Sequence, residues 1–220
     1  MVETRLAGFF SIKENSSRFN NKNFVRLGGK PLYLWAAEIL QNLDVLSERH
    51  VLANDRVPLD LPSNVTRASK PELLDADEVG SNEIIQHFSS VVEADWYLYV
   101  HATAPFLTTN TILSMFEKVL EGGFDSALTV KSEYTYAYFQ GKAINFTQGK
   151  LSRTQDLEPV LIENSGAYIF SKELAKQGIR VGKKPYFQEV NWPETIDIDH
   201  VSDYQEAILS LPAVANNTRR

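Results

Sequence analysis

The chain has 220 residues, of which 43% are hydrophobic and 23% charged, enough for one sizeable core in a globular domain. It contains no cysteine, which excludes disulfides, thiolate-bound metals and cysteine nucleophiles. A net charge of −6 argues against a non-specific nucleic-acid binder. No apolar run approaches the roughly 18 residues of a membrane-spanning helix. The opening Met1–Thr4 is too polar for a secretory signal, so the expected location is the cytoplasm.

In chain order, Leu6–Ile12 reads as a buried strand that empties into a polar loop over 13–29. Pro31 then opens a helix with apolar residues at Leu34, Trp35, Ile39, Leu40 and Leu43. His50–Ala53 reads as a second strand, and residues 56–70 as irregular. Ser81 is placed as the N-cap of a helix reaching Val92. Trp96–Val100 is a strand, followed by the turn His101–Pro105 and a helix capped by Thr108 or Thr109 that runs to Leu120. Ser126–Val130 is a strand, and Glu133–Leu151, with Gly141 and Gly149, suggests hairpins. Ser165–Phe170 and Pro185–Val190 read as strands around a short helix over 172–177. Thr195–Ile198 reads as a strand leading into a last helix, Ser202–Leu211, with a frayed tail after Pro212.

Strands alternating with helices predict an α/β fold, a mostly parallel sheet with helices on both faces. One domain over 1–220, with a hairpin insertion at about 131–160, is the simplest organisation. In such sheets ligands bind beyond the carboxyl ends of the strands, where the strand order reverses. That directs attention to the loops after Ile12, Val100 and Ile198.

Three stretches carry candidate chemistry. The loop after the first strand places Lys13, Arg18 and Lys22 among Asn15, Ser16 and Asn23. Cations interleaved with hydrogen-bonding side chains suit a polyphosphate; the plainer alternative is a solvated loop. It lacks the glycines of a dinucleotide fingerprint, and Gly28-Gly29-Lys30 is not a P-loop. Asp197-Ile198-Asp199 places two carboxylates two residues apart, which suits a hard divalent cation or, more plainly, a strand end with a capping Asp. The stretch Arg153–Pro159 and Glu163–Tyr168 is polar and turn-forming. His101 could face a ligand or bond its own backbone. No zinc-ligand spacing and no nucleophile elbow occurs.

The order of these pieces resembles the acylneuraminate cytidylyltransferase family. The matching positions are Lys13, Asn15, Ser16 and Arg18, then Lys22-Asn23 and Gly29–Leu32, then Val100–Thr108, Arg153–Pro159, Glu163–Phe170 and Ile196–Asp199. The resemblance implies a Rossmann-like nucleotidyltransferase fold, a homodimer whose inserted hairpin reaches the neighbouring site, and transfer of CMP from CTP to a sialic-acid-like 2-keto sugar acid for surface glycan synthesis. It implies nucleotide binding by Lys13, Asn15, Ser16, Arg18, Lys22, Asn23, Arg67, Ser81 and His101. It implies acceptor binding by Thr103, Gln155 and Asn164, magnesium on Asp197 and Asp199, and catalytic roles for Arg18, Lys22 and Asp199. No nucleic-acid or membrane partner is implied. Alternatives are another acceptor, such as a phosphonate or sugar phosphate, and a non-catalytic nucleotide-binding relative.

Departures from the family pattern fall at Lys13, His101, Ala104 and Leu107. Because imidazole titrates near neutrality, His101→Gln is expected to alter acceptor preference or pH dependence more than stability.

Overall fold

The computed structural model describes residues 4–13, 18–150 and 152–217. The elements are β1 (Leu6–Ser11), β2 (Arg26–Leu27), β3 (Lys30–Pro31), α1 (Leu32–Gln41), β4 (Glu48–Ala53), β5 (Thr66–Ser69), α2 (Ser81–Val91), β6 (Trp96–Val100) and α3 (Thr109–Leu120). They continue with β7 (Ser126–Glu133), β8 (Tyr138–Phe139), β9 (Lys142–Ala143), β10 (Val160–Ser171), α4 (Lys172–Lys176), β11 (Pro185–Glu189) and α5 (Val201–Asn217).

Seven strands form the main sheet in the order β11-β7-β10-β6-β1-β4-β5. All run parallel except β10, which is antiparallel to both β6 and β7. β1 is buried on both faces, as its unbroken apolar run requires. Leu6 and Phe10 face a core shared with Ala36 and Leu40 of α1 and with Ile112, Met115 and Phe116 of α3. Ala7 and Phe9 face the opposite core, with Ile84, Ile85 and Phe88 of α2 and Ala175 beside them. The chain leaves β1 through α1 to β4 on one side, then returns from β5 through α2 to β6 on the other. That reversal opens a crevice beyond the carboxyl ends of β1 and β6.

Four expectations are corrected. Residues 56–70 contain β5, a strand whose only sheet neighbour is β4. Thr195–Ile198 is not a strand: Thr195 closes a turn and residues 196–198 belong to no regular element. Ile196 and Ile198 bury themselves against Leu27, Leu32, Phe106 and Ala207, and Ile198 N–H is tied to Thr103 O at 2.8 Å. Ser81 is the first helical residue rather than the cap; the Glu83 carboxylate accepts from Gly80 N–H at 3.1 Å instead. α5 continues past Pro212 to Asn217 because Leu211 and Val214 pack on the third core cluster. Residues 131–160 do carry a hairpin, β8–β9, beyond the paired ends of β7 and β10. No helix among the described residues is long and apolar enough to cross a membrane.

α4 is held against α2 at Gly178, which has φ +70°, and a Cβ there would lie 2.6 Å from Asn82 O. The left-handed backbone and the close approach both demand glycine. Gly178→Ala should therefore lower unfolding free energy by about 1–3 kcal/mol in urea titration. An unchanged midpoint would mean that α2 and α4 separate there at no cost.

Candidate active site

The crevice holds a cavity of about 390 Å³. Ser11 and Lys13 reach it from the end of β1, Arg18, Lys22 and Asn23 from the following loop, and His101, Ala102 and Thr103 from the end of β6. Asp77, Gly80 and Ser81 enter from the start of α2, Ser165 from β10, and Asp197 and Asp199 from the segment before α5. Residues nearly two hundred positions apart are brought to one wall.

Asp199 is the centre of that wall. Its carboxylate accepts from Lys22 Nζ at 2.7 Å and Arg18 Nη1 at 2.6 Å. Burial alone would raise its pKa, but the Lys22 and Arg18 cations outweigh it and hold the carboxyl below its usual range. The segment is fixed from behind, because Asp203 Oδ2 accepts from the N–H groups of Asp199 and His200 at 2.9 and 2.7 Å. Asp197 differs. Burial pushes its carboxyl above the usual range; a Thr103 hydroxyl bond pulls it back, and Asp199 pushes it further up. Its Oδ1 is buried with no hydrogen-bond partner.

An orphaned carboxylate oxygen beside a second carboxylate fits a cation. Among the described residues no three His, Asp or Glu side chains group to hold a metal. Two carboxylates facing a cavity suit magnesium, which completes its shell with water and phosphate oxygens.

The loop cations are similarly oriented. Lys13 Nζ donates to Ala76 O at 2.6 Å, and Asn23 Nδ2 donates to Lys13 O at 2.9 Å. Lys22, in a short 3-10 turn over Lys22–Phe24, has a side chain only 9% exposed. Asn15 and Ser16 lie outside the described residues.

Three expected site residues do not line the cavity. Arg67 spends its guanidinium on the carbonyls of Asn54, Asp55 and Val57, at 2.9, 2.8 and 2.5 Å, and so shapes the loop beside β5. Gln155 sits on the exposed turn Thr154–Asp156 beyond β8–β9. Asn164 is buried and donates to Glu194 O at 3.1 Å.

Sequence reading missed Lys70, Tyr99, Ser165 and Arg180. Lys70 is fully buried, donating to Ile12 O and pairing with Asp75, both at 2.5 Å. It anchors the chain where β1 ends, but in a polar stretch nothing distinguishes it from a solvated lysine.

His101 belongs to a column of rings. Phe88 stacks on Phe9 at 4.0 Å, Phe9 on Tyr99 at 4.6 Å, Tyr99 meets His101 at 4.7 Å, and His101 meets Tyr168 at 5.4 Å. Its backbone N–H bonds Gly166 O at 3.0 Å, while its Nε2 is buried without a partner. Burial, reinforced by the Arg180 charge, pushes the ring pKa down to about 3. The expected titration near neutrality is therefore corrected: the imidazole stays neutral at working pH.

These placements set the context for the comparisons. Residues 14–208 match the model of the cytidylyltransferase family. The chain belongs to that family, and the resemblance read from its motifs is borne out. It is 26% identical over 199 residues to N-acylneuraminate cytidylyltransferase A of Danio rerio, a match covering 84% of this chain and 46% of that protein. The chain thus spans about half the length of that curated relative. Its fold is similar to that of a CMP:2-keto-3-deoxy-manno-octonic acid synthetase complexed with CTP, at TM-score 0.65 and 12% identity, covering 96% of this chain and 99% of that one. It is also similar to a 4-diphosphocytidyl-2C-methyl-D-erythritol synthase from Anaerococcus prevotii, at TM-score 0.64 and 9% identity, covering 96% and 99%.

The depressed His101 pKa has a sign that can be measured. Between about 3 and the ordinary imidazole value of 6.5 the unfolded chain binds a proton that the folded ring refuses. The His101 contribution is thus fully present above pH 6.5 and is lost on acidification toward 3. Urea unfolding of His101→Gln and wild type at pH 7 and pH 5 should show the wild type losing up to about 2 kcal/mol more between them. Equal losses would mean that the ring takes up its proton freely in the folded state.

Proposed function

We propose that this chain transfers CMP from CTP to a sugar acid, releasing pyrophosphate. The observation that carries the reading is the wall of the cavity, where Arg18 and Lys22 converge on Asp199 beside the orphaned Oδ1 of Asp197. A polyphosphate needs such cations, and a divalent ion needs such carboxylates. The family match and the activities for which the relatives are named support the same chemistry.

In this reading a hydroxyl of the acceptor attacks the α-phosphorus of CTP in line and displaces pyrophosphate. Lys13, Arg18 and Lys22 bind and orient the phosphates, and Asn15, Ser16 and Asn23 complete the nucleotide loop. Asp197 and Asp199 would hold magnesium, which supplies neutralisation of the phosphate charge when bound. Lys22 is already shielded from solvent, so its charge acts on the leaving pyrophosphate at little reorganisation cost. Before substrate arrives, Asp199 keeps both cations aimed into the cavity. Ser81 and His101 lie where nucleotide and acceptor meet, with Thr103 on the acceptor side. The chain uses CTP in the cytoplasm, and neither nucleic acid nor membrane takes part.

The assembly in this reading is a homodimer. Tyr134, Tyr138, Phe139, Ile144, Leu161 and Ile162 are all exposed around the β8–β9 hairpin, an apolar surface that a second copy would cover. Such pairing would carry Gln155, remote from its own cavity, toward the partner's.

Pyrophosphate release from purified protein, tested with four nucleoside triphosphates against keto sugar acids, sugar phosphates and phosphonates, examines the reading directly. Asp199→Asn should lower kcat/KM by about a hundredfold or more, while a thermal scan still shows a cooperative fold at a reduced melting temperature. Lys22→Ala should cost about ten- to a hundredfold, through the KM for CTP or through kcat. Near wild-type kinetics in both variants at limiting magnesium would reduce the wall to a surface ion-pair cluster.

A further inference from the structure

Among the described residues the charged side chains lining the cavity balance: Lys13, Arg18 and Lys22 stand against Asp77, Asp197 and Asp199. Near neutral pH a triphosphate brings about four negative charges and a sugar acid about one more. A divalent ion offsets two of these. Binding both substrates therefore calls for a further cation, and Arg180 touches the cavity wall.

Arg180 lies in the loop after α4. Its guanidinium rests on the Tyr168 ring, with Cζ 4.4 Å from the centroid. Nη2 donates to Glu163 Oε1 at 2.6 Å, and the Tyr168 hydroxyl donates to that same oxygen. Nη1 donates to Ser81 Oγ at 3.2 Å. Tyr168 in turn packs on His101, the last ring of the column. One edge of the fork is thus clamped by a carboxylate and a rigid aromatic floor. The other edge ends on a neutral hydroxyl of the cavity wall, and the side chain remains 29% exposed. A long bond to a hydroxyl exchanges readily for a charge-assisted one.

At the other wall Arg18 and Lys22 already share one carboxylate, that of Asp199. The β10 irregularity between Glu163 and Tyr168 brings Ser165 into the cavity. An anion between Ser81 and Ser165 would meet two hydroxyls and the Nη1 edge of Arg180, in exchange for its bond to Ser81.

We propose that Arg180 recognises the anionic group of the acceptor, taking a carboxylate against Ser81 and Ser165 and so determining which acceptors the enzyme uses. This rests on the cytidylyl-transfer reading above. A planar guanidinium matches a carboxylate through two parallel hydrogen bonds, a geometry that lysine does not reproduce. A neutral sugar leaves the Ser81 bond as it is and gains nothing. Glu163 holds the other edge of the fork, which keeps the guanidinium from moving wholly onto the CTP phosphates.

The two anions that could claim Arg180, phosphate and carboxylate, are separated by measuring each substrate alone. The experiment takes wild type, Arg180→Gln and Arg180→Lys, with CTP affinity from calorimetry and acceptor KM from pyrophosphate release. It uses a keto sugar acid and its carboxamide analogue. Arg180→Gln should raise the KM for the sugar acid by about tenfold or more and leave CTP affinity within about threefold; Arg180→Lys should recover only part. The carboxamide, a poor acceptor for wild type, should lose nothing further in Arg180→Gln, because the cycle couples residue and carboxylate. Weakened CTP binding with an unchanged acceptor KM assigns the guanidinium to phosphate and overturns the proposal. A lower melting temperature with both constants unchanged makes Arg180 a structural pin and overturns it as well. Wild-type turnover only on acceptors without a carboxylate would instead overturn the sugar-acid reading itself.

Discussion

Asp199 ties the two ends of the chain to one point. Its partners Lys22 and Arg18 lie 177 and 181 positions away in sequence. A lysine as enclosed as Lys22 is costly without a counter-charge, so this pairing is a condition of the loop's conformation rather than an ornament on it. The same short segment is fixed to the turn after β6 through Ile198 and Thr103, and to α5 through Asp203. The first loop, the exit of the central strand and the last helix therefore share one joint. The charged wall of the cavity is that joint.

The opposite wall depends on the one antiparallel strand. β10 enters a parallel sheet between β6 and β7, and its ladder breaks between Glu163 and Tyr168. Gly166 makes this possible: a Cβ there would lie 2.7 Å from Thr129 Oγ1, and its carbonyl accepts from His101 N–H. The irregularity sends Ser165 into the cavity, and Tyr168 closes the ring column that starts at Phe88. Core packing is thereby continuous with the cavity wall, and the Arg180 guanidinium rests on Tyr168 at the end of the column.

The electrostatics of the two walls follow from different causes. Asp199 is depressed because cations overcome its burial, whereas Asp197 is raised because burial meets no adequate compensation. His101 is lowered by burial in the ring column. One carboxylate is thus satisfied within the chain and its neighbour is not. That asymmetry leaves Asp197, and not Asp199, with a buried oxygen that lacks a hydrogen-bond partner.

Much of this was written locally. The apolar runs of β1 and β6, the helical spacing after Pro31, and the loop carrying Lys13, Arg18 and Lys22 were legible because period and charge need only a few adjacent residues. The order of motifs carried the family. Thr66–Ser69 was not legible as a strand, since Thr-Arg-Ala-Ser has no apolar alternation and only pairing with β4 makes it one. Thr195–Ile198 alternates like a strand, yet its isoleucines find their burial against α5 and β2–β3. Arg67 and Lys70 look alike in sequence; packing turned the first onto three carbonyls and sealed the second beneath β1. The sequence by itself determined the α/β class, the cationic composition of the first loop and the carboxylate pair. Tertiary structure alone decided that Asp199 would be shared by two cations while Asp197 kept an orphaned oxygen, and that Arg180 would lie on Tyr168 beside Ser81. Those pairings depend on distances between segments remote in the chain, which no local pattern encodes.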